Sequence, residues 1–160
     1  MSETVEPAEA TATSLAAVAG FRLRRLQGLF AAHYVAWFRA VGLAVTPVQG
    51  GILLLIDENP GLTQIALARL LRIEPPSLTQ ALNPLIEAGL VKRSRAAHDG
   101  RAVALHLSRA GREAVETVRR ETPAQEAEAL SGLGAEERDA FLGLLDKALA
   151  STEAALARTD

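Results

Sequence analysis

The chain has 160 residues, of which 49% are apolar and 4% aromatic, a composition typical of a helix-rich domain with an aliphatic core. It contains no cysteine, which excludes disulfides, thiolate metal sites and thiol-based redox sensing. No segment approaches the roughly 20 apolar residues of a membrane span, and no secretory signal pattern is present, so we expect a cytoplasmic protein. The formal net charge of −2 argues only weakly against nucleic-acid binding, because the distribution of charge matters more than its total.

The N-terminal third of the chain predicts a tail and a long helix. Residues 1–13 are Glu, Thr, Ala and Pro, and we expect them to be disordered. Ser14 is placed to cap a helix that runs to about Val41, with Gly42 in the stop position. Apolar residues recur along this segment at helical spacing, which predicts an amphipathic helix.

Three shorter helices follow, each with a clear start signal. Thr46 precedes Pro47–Glu58, which is apolar nearly all round and is therefore expected to be central. Thr63 precedes a short helix, Gln64–Leu71, and a second helix follows over Pro75–Ala88 after a tight turn. Two helices joined in this way predict a helix-turn-helix, in which the second helix enters the major groove of DNA. The apolar residues expected to hold the pair together are Leu67, Leu70, Leu71, Ile73, Leu78, Leu82, Leu85 and Ile86.

The next segment predicts a β-hairpin with a basic tip. Leu90–Ser94 and Ala102–Leu107 are the strand candidates, and Asp99-Gly100 is a turn pair between them. From position 92 to 112 the chain has six basic residues and one acid, Asp99, a local excess that suits contact with phosphates. Arg101 at the hairpin tip could enter a minor groove, with Asp99 bracing it.

Two long helices complete the predicted fold. Ser108 caps a helix that extends to about Leu130, within which Pro123 should cause a kink or a division. A final amphipathic helix is expected over residues 135–157, whose apolar positions suit packing against a partner helix.

The candidate DNA contacts come from the second helix of the pair and from the hairpin. Gln and Asn can pair with adenine edges, and Ser and Thr with several partners, whereas Lys and Arg contact phosphates or guanine. Any one of the polar side chains of the helix is equally well explained as an ordinary solvated residue, whereas the basic hairpin follows the helix pair directly and favours DNA contact. The candidates are Ser77, Thr79, Gln80, Asn83, Lys92, Arg93, Arg95, Asp99 and Arg101.

In order and spacing, this part of the chain resembles the MarR family, the multiple antibiotic resistance regulators. The likeness is good from about residue 42 to 112 and depends on helix pattern alone on either side. The residues that carry it are LAVTPVQ at 43–49, NPGLTQ at 59–64, LIEAGLVKR at 85–93, DGR at 99–101 and LSRAG at 107–111.

The resemblance implies a mainly α winged helix-turn-helix protein with a small β-hairpin wing. Within one domain over residues 14–160, the DNA-binding lobe is expected at 46–108 and long dimerisation helices at 14–45 and 109–160. It also implies a homodimer that binds a pseudo-palindromic operator in double-stranded DNA, most often as a repressor. Small aromatic or phenolic ligands often release DNA from such proteins.

Three features depart from the family pattern. Arg72 occupies a turn position where Gly is common, which predicts a modest conformational cost. The expected recognition helix has no Lys or Arg, so phosphate attraction must come from the wing and from residues such as Arg69. Pro84 lies inside this helix and removes a backbone donor, which predicts a kink or irregular turn near Gln80.

A ligand site is weighed against ordinary packing. His33, Trp37 and Arg39 on the first long helix combine an aromatic with a cation, the minimal set for an aromatic acid. The simpler interpretation places Trp37 in the core or an interface and makes His33 a satisfied polar residue.

Two other functions compete with transcriptional regulation. Pro84 and the uncharged recognition helix leave open a small-molecule- or metal-sensing module with a degenerate helix-turn-helix. An enzyme is disfavoured, because there is no cysteine nucleophile and no serine in a nucleophile elbow. We predict no cofactor and no resident metal.

Overall fold

The computed structural model describes residues 17–95 and 103–158, and the fold within them is mainly helical, as predicted. The predicted tail, residues 1–13, lies outside this range. The chain divides into two compact units between Glu121 and Thr122, so that helix α5 contributes to both. The elements of the described residues, in chain order, are α1 (Ala19–Ala40), α2 (Pro47–Glu58), α3 (Gln64–Leu71), α4 (Pro75–Glu87), β1 (Val91–Arg95), β2 (Val103–Leu107), α5 (Arg109–Ala129) and α6 (Ala135–Leu156).

Helix α1 begins later than the sequence predicts. Its N-cap is Val18 instead of Ser14, and no side chain caps it. Residues 17–20 are all exposed, and Phe21 is the first partly buried apolar side chain. Because helices in proteins are stabilised mainly by packing of an apolar face, these four exposed residues give little support to a longer helix. The C-terminal end agrees with the prediction, since Gly42 adopts a left-handed conformation with φ of 85°.

Helix α2 is central to the first unit, and both of its ends are defined by local signals. The Thr46 hydroxyl accepts a hydrogen bond from the Gln49 backbone, and the Gln49 side chain accepts one from the Thr46 backbone, which completes a capping box. Ile52, Leu53 and Ile56 are buried along its length. They join a core that also contains Phe38, Val45, Leu67, Leu78, Leu82, Leu85, Val91, Leu105, Val115 and Val118.

Helices α1 and α2 approach closely at one aromatic side chain. The ring of Tyr34 stacks on Phe38 with centroids 4.3 Å apart. A Cβ atom on Gly50 would lie 2.1 Å from the Tyr34 hydroxyl, so glycine at this position makes room for it. Burial raises the pKa of Tyr34 to about 12.

Tyr34 therefore predicts a loss of stability at high pH. The unfolded chain ionises near pH 10 while the folded chain keeps the phenol neutral until about pH 12, so the free energy of unfolding should fall as the pH rises through this window. Because Tyr34 is the only tyrosine, its absorbance at 295 nm reports it alone. We expect the native protein to titrate with a midpoint well above 10 and the denaturant-unfolded protein near 10. Coincident midpoints would contradict the prediction.

The α3–α4 pair forms the expected helix-turn-helix, with one correction to its packing. Leu67, Leu78, Leu82 and Leu85 are buried between the two helices and the rest of the core. Leu70, which we expected to join them, is 56% exposed. Helix α3 is short, and only one side of it faces the core. Leu67 and Ala68 occupy that side, so Leu70 is left towards solvent.

The turn between the two helices contains a strained residue, as the sequence predicts. Arg72 is the one non-glycine residue with positive φ in the described part of the chain, at φ 50° and ψ 44°. This left-handed conformation closes the end of α3, since the Arg72 N–H bonds the carbonyl of Arg69 at 3.2 Å. Side chains with a Cβ atom are strained in this conformation and glycine is not.

Replacing Arg72 by glycine should stabilise the protein. We expect Arg72→Gly to raise the free energy of unfolding by about 0.5–1 kcal/mol in urea denaturation, because the strain of the left-handed conformation is relieved. Arg72→Ala removes the same charged group but keeps a Cβ atom, and it should show no such gain. If alanine stabilised the protein as much as glycine, the gain would come from the lost charge and not from the backbone.

Neither internal proline interrupts its helix. Helix α4 runs continuously through Pro84, and α5 continues through Pro123, so the predicted irregular turn near Gln80 and the predicted division are wrong. Pro84 and Gln80 are both exposed. Because proline has no N–H group, the Gln80 carbonyl receives no hydrogen bond from position 84, and water can hydrate it instead. The buried stripe on the opposite side of α4, which includes Leu82 and Leu85, stabilises the helix despite this missing hydrogen bond.

The hairpin packs against the start of the helix-turn-helix. Strands β1 and β2 are antiparallel, with Val91 opposite Leu107 and Arg95 opposite Val103. A feature that the sequence did not indicate is a bridge from Thr63 to Ala104, supported by a hydrogen bond from the Leu105 N–H to the Leu62 carbonyl at 2.9 Å. This contact explains why Ala104 is buried.

The second unit consists of the end of α5 and helix α6. The Glu137 side chain accepts a hydrogen bond of 2.8 Å from the Gly134 backbone at the start of α6. This helix leaves several large apolar side chains exposed, namely Leu142, Leu144, Leu149 and Leu156. In the described part of the chain, the longest apolar helical stretch falls short of what a membrane span requires.

Candidate nucleic-acid interface

The exposed face of α4 carries most of the polar residues predicted to contact bases. Ser77, Gln80 and Asn83 are exposed, while Leu78 and Leu82 are buried on the other side. Gln80 and Asn83 are three residues apart and therefore neighbours on one side of the helix. The structure thus brings Gln80 and Asn83 together on a solvent-facing surface, with Ser77 one turn before Gln80.

Thr79 differs from the other three candidates because its hydroxyl is already used. It donates to the Pro75 carbonyl at 3.0 Å and accepts from the Gln64 side chain at 3.3 Å. Its side chain is only partly exposed. Thr79 therefore links the start of α3 to the first turn of α4, and Gln64 belongs to the site as its partner. No short-range sequence signal points to this pair, because the two residues are 15 positions apart.

The hairpin places basic side chains next to the recognition helix. Lys92, Arg93 and Arg95 are all exposed on β1. Arg93 donates from Nη2 to the Asn83 Oδ1 atom at 3.3 Å, so that the wing and α4 share one contact. Arg93 and Arg95 lie two residues apart and share one side of the strand.

The opposite side of the hairpin carries a polar pair that the sequence analysis missed. Ser94 Oγ lies 2.9 Å from His106 Nε2, and both side chains are exposed. His106 stands directly across from Lys92 in the strand register. The predicted wing tip, Asp99 and Arg101, lies outside the described residues.

The start of α5 adds further cations beside the hairpin. Arg112 donates to the Leu107 carbonyl at 3.3 Å, while Arg109 is paired with Glu113 at 3.0 Å, both partners being largely exposed. Exposed ion pairs of this kind contribute little stability, so Arg109 can leave Glu113 and bind another anion at little cost. The described cations of the segment, on β1 and on the first turn of α5, therefore lie on adjoining elements.

A buried glutamine positions the recognition helix. Gln49 is 9% exposed, and its Nε2 atom donates to the Ala81 carbonyl in the middle of α4 at 3.2 Å. Its Oε1 atom accepts from the Thr46 backbone at 2.9 Å, so the carboxamide is satisfied on both sides. The capping-box spacing of Thr46 and Gln49 was visible in the sequence, but the contact with Ala81 was not.

The three predicted ligand-binding residues are brought together only in part. His33 and Trp37 lie one turn apart on α1 with ring centroids at 6.1 Å. Arg39 lies roughly 120° around the helix from His33, given about 100° per residue, and so it does not join them. The Trp37 indole N–H donates to Glu121 Oε2 at 3.4 Å, so its nearest charged partner is a carboxylate.

A small cavity of about 180 Å³ lies elsewhere in the first unit. It is bounded by the end of α2, strand β2 and the first turn of α5, and none of His33, Trp37 and Arg39 lines it. Within the described residues, no cluster of three or more His, Asp and Glu side chains is arranged to hold a metal ion. The cavity residues are Ile56, Asp57, Pro60, Leu105, His106, Leu107 and Arg112.

A helix-turn-helix with an exposed polar recognition helix and a basic hairpin beside it defines a winged helix-turn-helix DNA-binding regulator. A family model described as MarR family matches residues 45–102. A protein of Thauera aromatica that is assigned as a transcriptional regulator of the hcr operon is 32% identical over 146 residues, covering 88% of this chain and 84% of the relative. The chain belongs to the MarR family of transcriptional regulators.

Solved structures agree with this assignment. The transcriptional repressor CouR bound to a 23-mer DNA duplex has a TM-score of 0.75 and 30% identity, covering 88% of this chain and 99% of that one. CouR bound to p-coumaroyl-CoA gives a TM-score of 0.77 at 29% identity, with 88% and 98% coverage. A probable transcriptional regulator of Pseudomonas aeruginosa gives 0.76 at 28% identity, with 83% and 98% coverage. The chain is therefore similar over most of its length to DNA-binding regulators.

Proposed function

We propose that this protein is a repressor that binds a pseudo-palindromic operator as a homodimer. The observation that carries the proposal is the joint exposure of Gln80 and Asn83 on α4 beside Arg93 of the wing. In this arrangement the recognition helix faces bases in the major groove, and the basic side chains of the wing lie beside it where they can also contact DNA. We infer that the protein acts by binding, without a reaction of its own, and that it works in the cytoplasm.

Each candidate contact has a definite expected role. Gln80 and Asn83 face bases in the major groove, and Ser77 lies closer to the phosphates at the start of the helix. Thr79 supports α4 through Gln64 and Pro75 and contacts DNA only at the edge of the site. Lys92 and Arg95 contact phosphates, and the wing-tip pair of Asp99 and Arg101 is proposed to enter the minor groove.

Homodimerisation is proposed to use the terminal helices. Leu144 and Leu149 of α6 are 64% and 62% exposed, and exposed apolar side chains grouped on one helix commonly mark a contact surface. Phe141 and Leu145 are partly buried on the same helix. A dimer with two recognition helices would contact half-sites about one helical turn apart, roughly 10 base pairs.

An effector is proposed from the relatives and from α1. CouR has been captured both with DNA and with p-coumaroyl-CoA, an aromatic thioester. In the present chain, His33 and Trp37 offer an aromatic surface for a small aromatic or phenolic ligand. Because Glu121 already accepts from Trp37, a phenolic hydroxyl fits this surface better than a second carboxylate.

Selection of binding sites from random duplex DNA tests the proposed function. The purified protein should enrich a palindrome whose half-sites are about 10 base pairs apart. Binding to the enriched site should weaken steeply with salt, because phosphate contacts release counterions. Enrichment of no sequence, with only weak and salt-sensitive binding, would overturn the proposal and favour a sensing module with a degenerate helix-turn-helix.

A further inference from the structure

We propose that Arg93 and Asn83 act as one recognition unit that presents hydrogen-bond donors to DNA, so that each operator half-site carries a guanine where this unit meets the major groove. The inference rests on the proposed function and specifies the base that the site selects. It differs from the expectation that Asn83 pairs with adenine.

The contact between the two side chains fixes the orientation of the asparagine. Arg93 Nη2 lies 3.3 Å from Asn83 Oδ1. A guanidinium has only N–H donors, so the atom that it meets must be the carboxamide oxygen and not the nitrogen. Within residues 17–95 and 103–158, Arg93 is the sole hydrogen-bond partner of the Asn83 side chain. The amide N–H₂ group therefore lies on the opposite side of the carboxamide.

This orientation is unfavourable for adenine. An asparagine that pairs with adenine donates to N7 and accepts from the N6 amino group, and for this it needs the carboxamide oxygen. Here that oxygen already faces a cation, which would also repel the adenine amino group. Asn83 retains its donor, and the remaining N–H groups of Arg93 are donors as well.

Guanine offers what such a unit requires. Its major-groove edge presents two acceptors, N7 and O6, and it is the commonest specific partner of arginine. The wing strand supplies a fixed support for Arg93, because β1 is paired with β2 and its neighbour Val91 is buried. A recognition helix without a basic residue thus obtains a guanidinium from the adjacent strand.

The test uses the operator obtained by site selection, with every base pair of the half-site replaced in turn. We expect Asn83→Ala and Arg93→Gln each to lose preference at the same single G·C pair, by about tenfold or more, and at no other position. The two effects should not add in the double variant, since they act through one unit. Replacing that guanine by 7-deazaguanine, which lacks the N7 acceptor, should weaken DNA binding by the wild-type protein. The same replacement should leave DNA binding by the Asn83→Ala variant unchanged.

Arg95→Gln is the matched control. Arg95 lies on the same side of β1 and is also exposed, but the hydrogen bond to Asn83 comes from Arg93 and not from Arg95. This variant should weaken binding to all sequences alike and make the salt dependence shallower. Both altered side chains of the unit are exposed, so circular dichroism spectra should match the wild type.

Two results would overturn the inference while the proposed function stands. If Arg93→Gln weakened binding to all sequences equally, as Arg95→Gln should, then Arg93 would contact phosphates. If Asn83→Ala lost a preference for an A·T pair, the asparagine would pair with adenine after all. If the wild-type protein enriched no sequence, the proposed function would fail and the inference with it.

Discussion

Gly111→Ala should be severely destabilising, by about 3 kcal/mol or more, because its Cβ atom would meet backbone that cannot move. An added Cβ would lie 2.1 Å from the Leu90 carbonyl oxygen and 3.0 Å from its carbon. That oxygen is held in place by a hydrogen bond from the Ser108 N–H at 2.9 Å, and the Gly111 N–H bonds Ser108 Oγ at 3.0 Å. The clash would separate the start of α5 from the start of the wing.

Urea denaturation measures this effect, and Gly51→Ala is its control. Gly51 lies inside α2, and a Cβ atom there would meet nothing within 4 Å. Alanine at this position should leave stability unchanged or raise it by about 0.5–1 kcal/mol, as expected for a glycine in a helix interior. Equal stability of the two variants would mean that the approach of α5 to Leu90 is not as close as described.

Gln49→Met should weaken binding to the operator as well as stability. Methionine has a similar volume but cannot form the capping box or donate to the Ala81 carbonyl. We expect a loss of about 2 kcal/mol in the free energy of unfolding, since the capping box is broken and the half-buried Ala81 carbonyl loses the hydrogen bond from Gln49. Operator affinity should fall about tenfold, because apolar contacts are non-directional and the hydrogen bond from Gln49 helps to fix the middle of α4 along its axis.

The variant Thr46→Ala distinguishes the role of Gln49 in positioning α4 from its role in the stability of the fold. This change removes the Thr46 hydroxyl from the cap, at a cost of about 1 kcal/mol, but it leaves the bond from Gln49 to Ala81 in place. Affinity should therefore stay near the wild-type value, measured by fluorescence anisotropy at a temperature where all variants are folded. If both variants bound equally well, Gln49 would serve stability alone.

Most of the fold was predictable because its signals are local. Apart from the start of α1, the caps at Thr46 and Thr63, the helix stop at Gly42 and the spacing of apolar residues located the helices of the first unit to within a residue or two. The strained conformation of Arg72 was also foreseen from its position in the turn. These features depend on backbone conformation and on hydrogen bonds within four residues of sequence, so they can be predicted directly from the sequence.

The predicted start of α1, the predicted irregular turn near Gln80 and the predicted division at Pro123 were wrong for a common reason. Ser14, Pro84 and Pro123 were each interpreted from local preference alone. Where tertiary packing supports a helix, as the buried stripe of α4 does at Pro84, the preference is overridden. Where side chains are exposed, as over residues 17–20, local preference alone does not extend the helix.

The sequence by itself determined the class of this protein, its helix-turn-helix and wing, and the exposed positions of Gln80 and Asn83. Only the tertiary structure decided what those side chains can do. Thr79 is engaged by Gln64, Asn83 is oriented by Arg93, and Gln49 reaches Ala81 across 32 positions of sequence. The physical reason is that a hydrogen bond between distant segments depends on where packing places both partners, and no periodicity or cap encodes that distance.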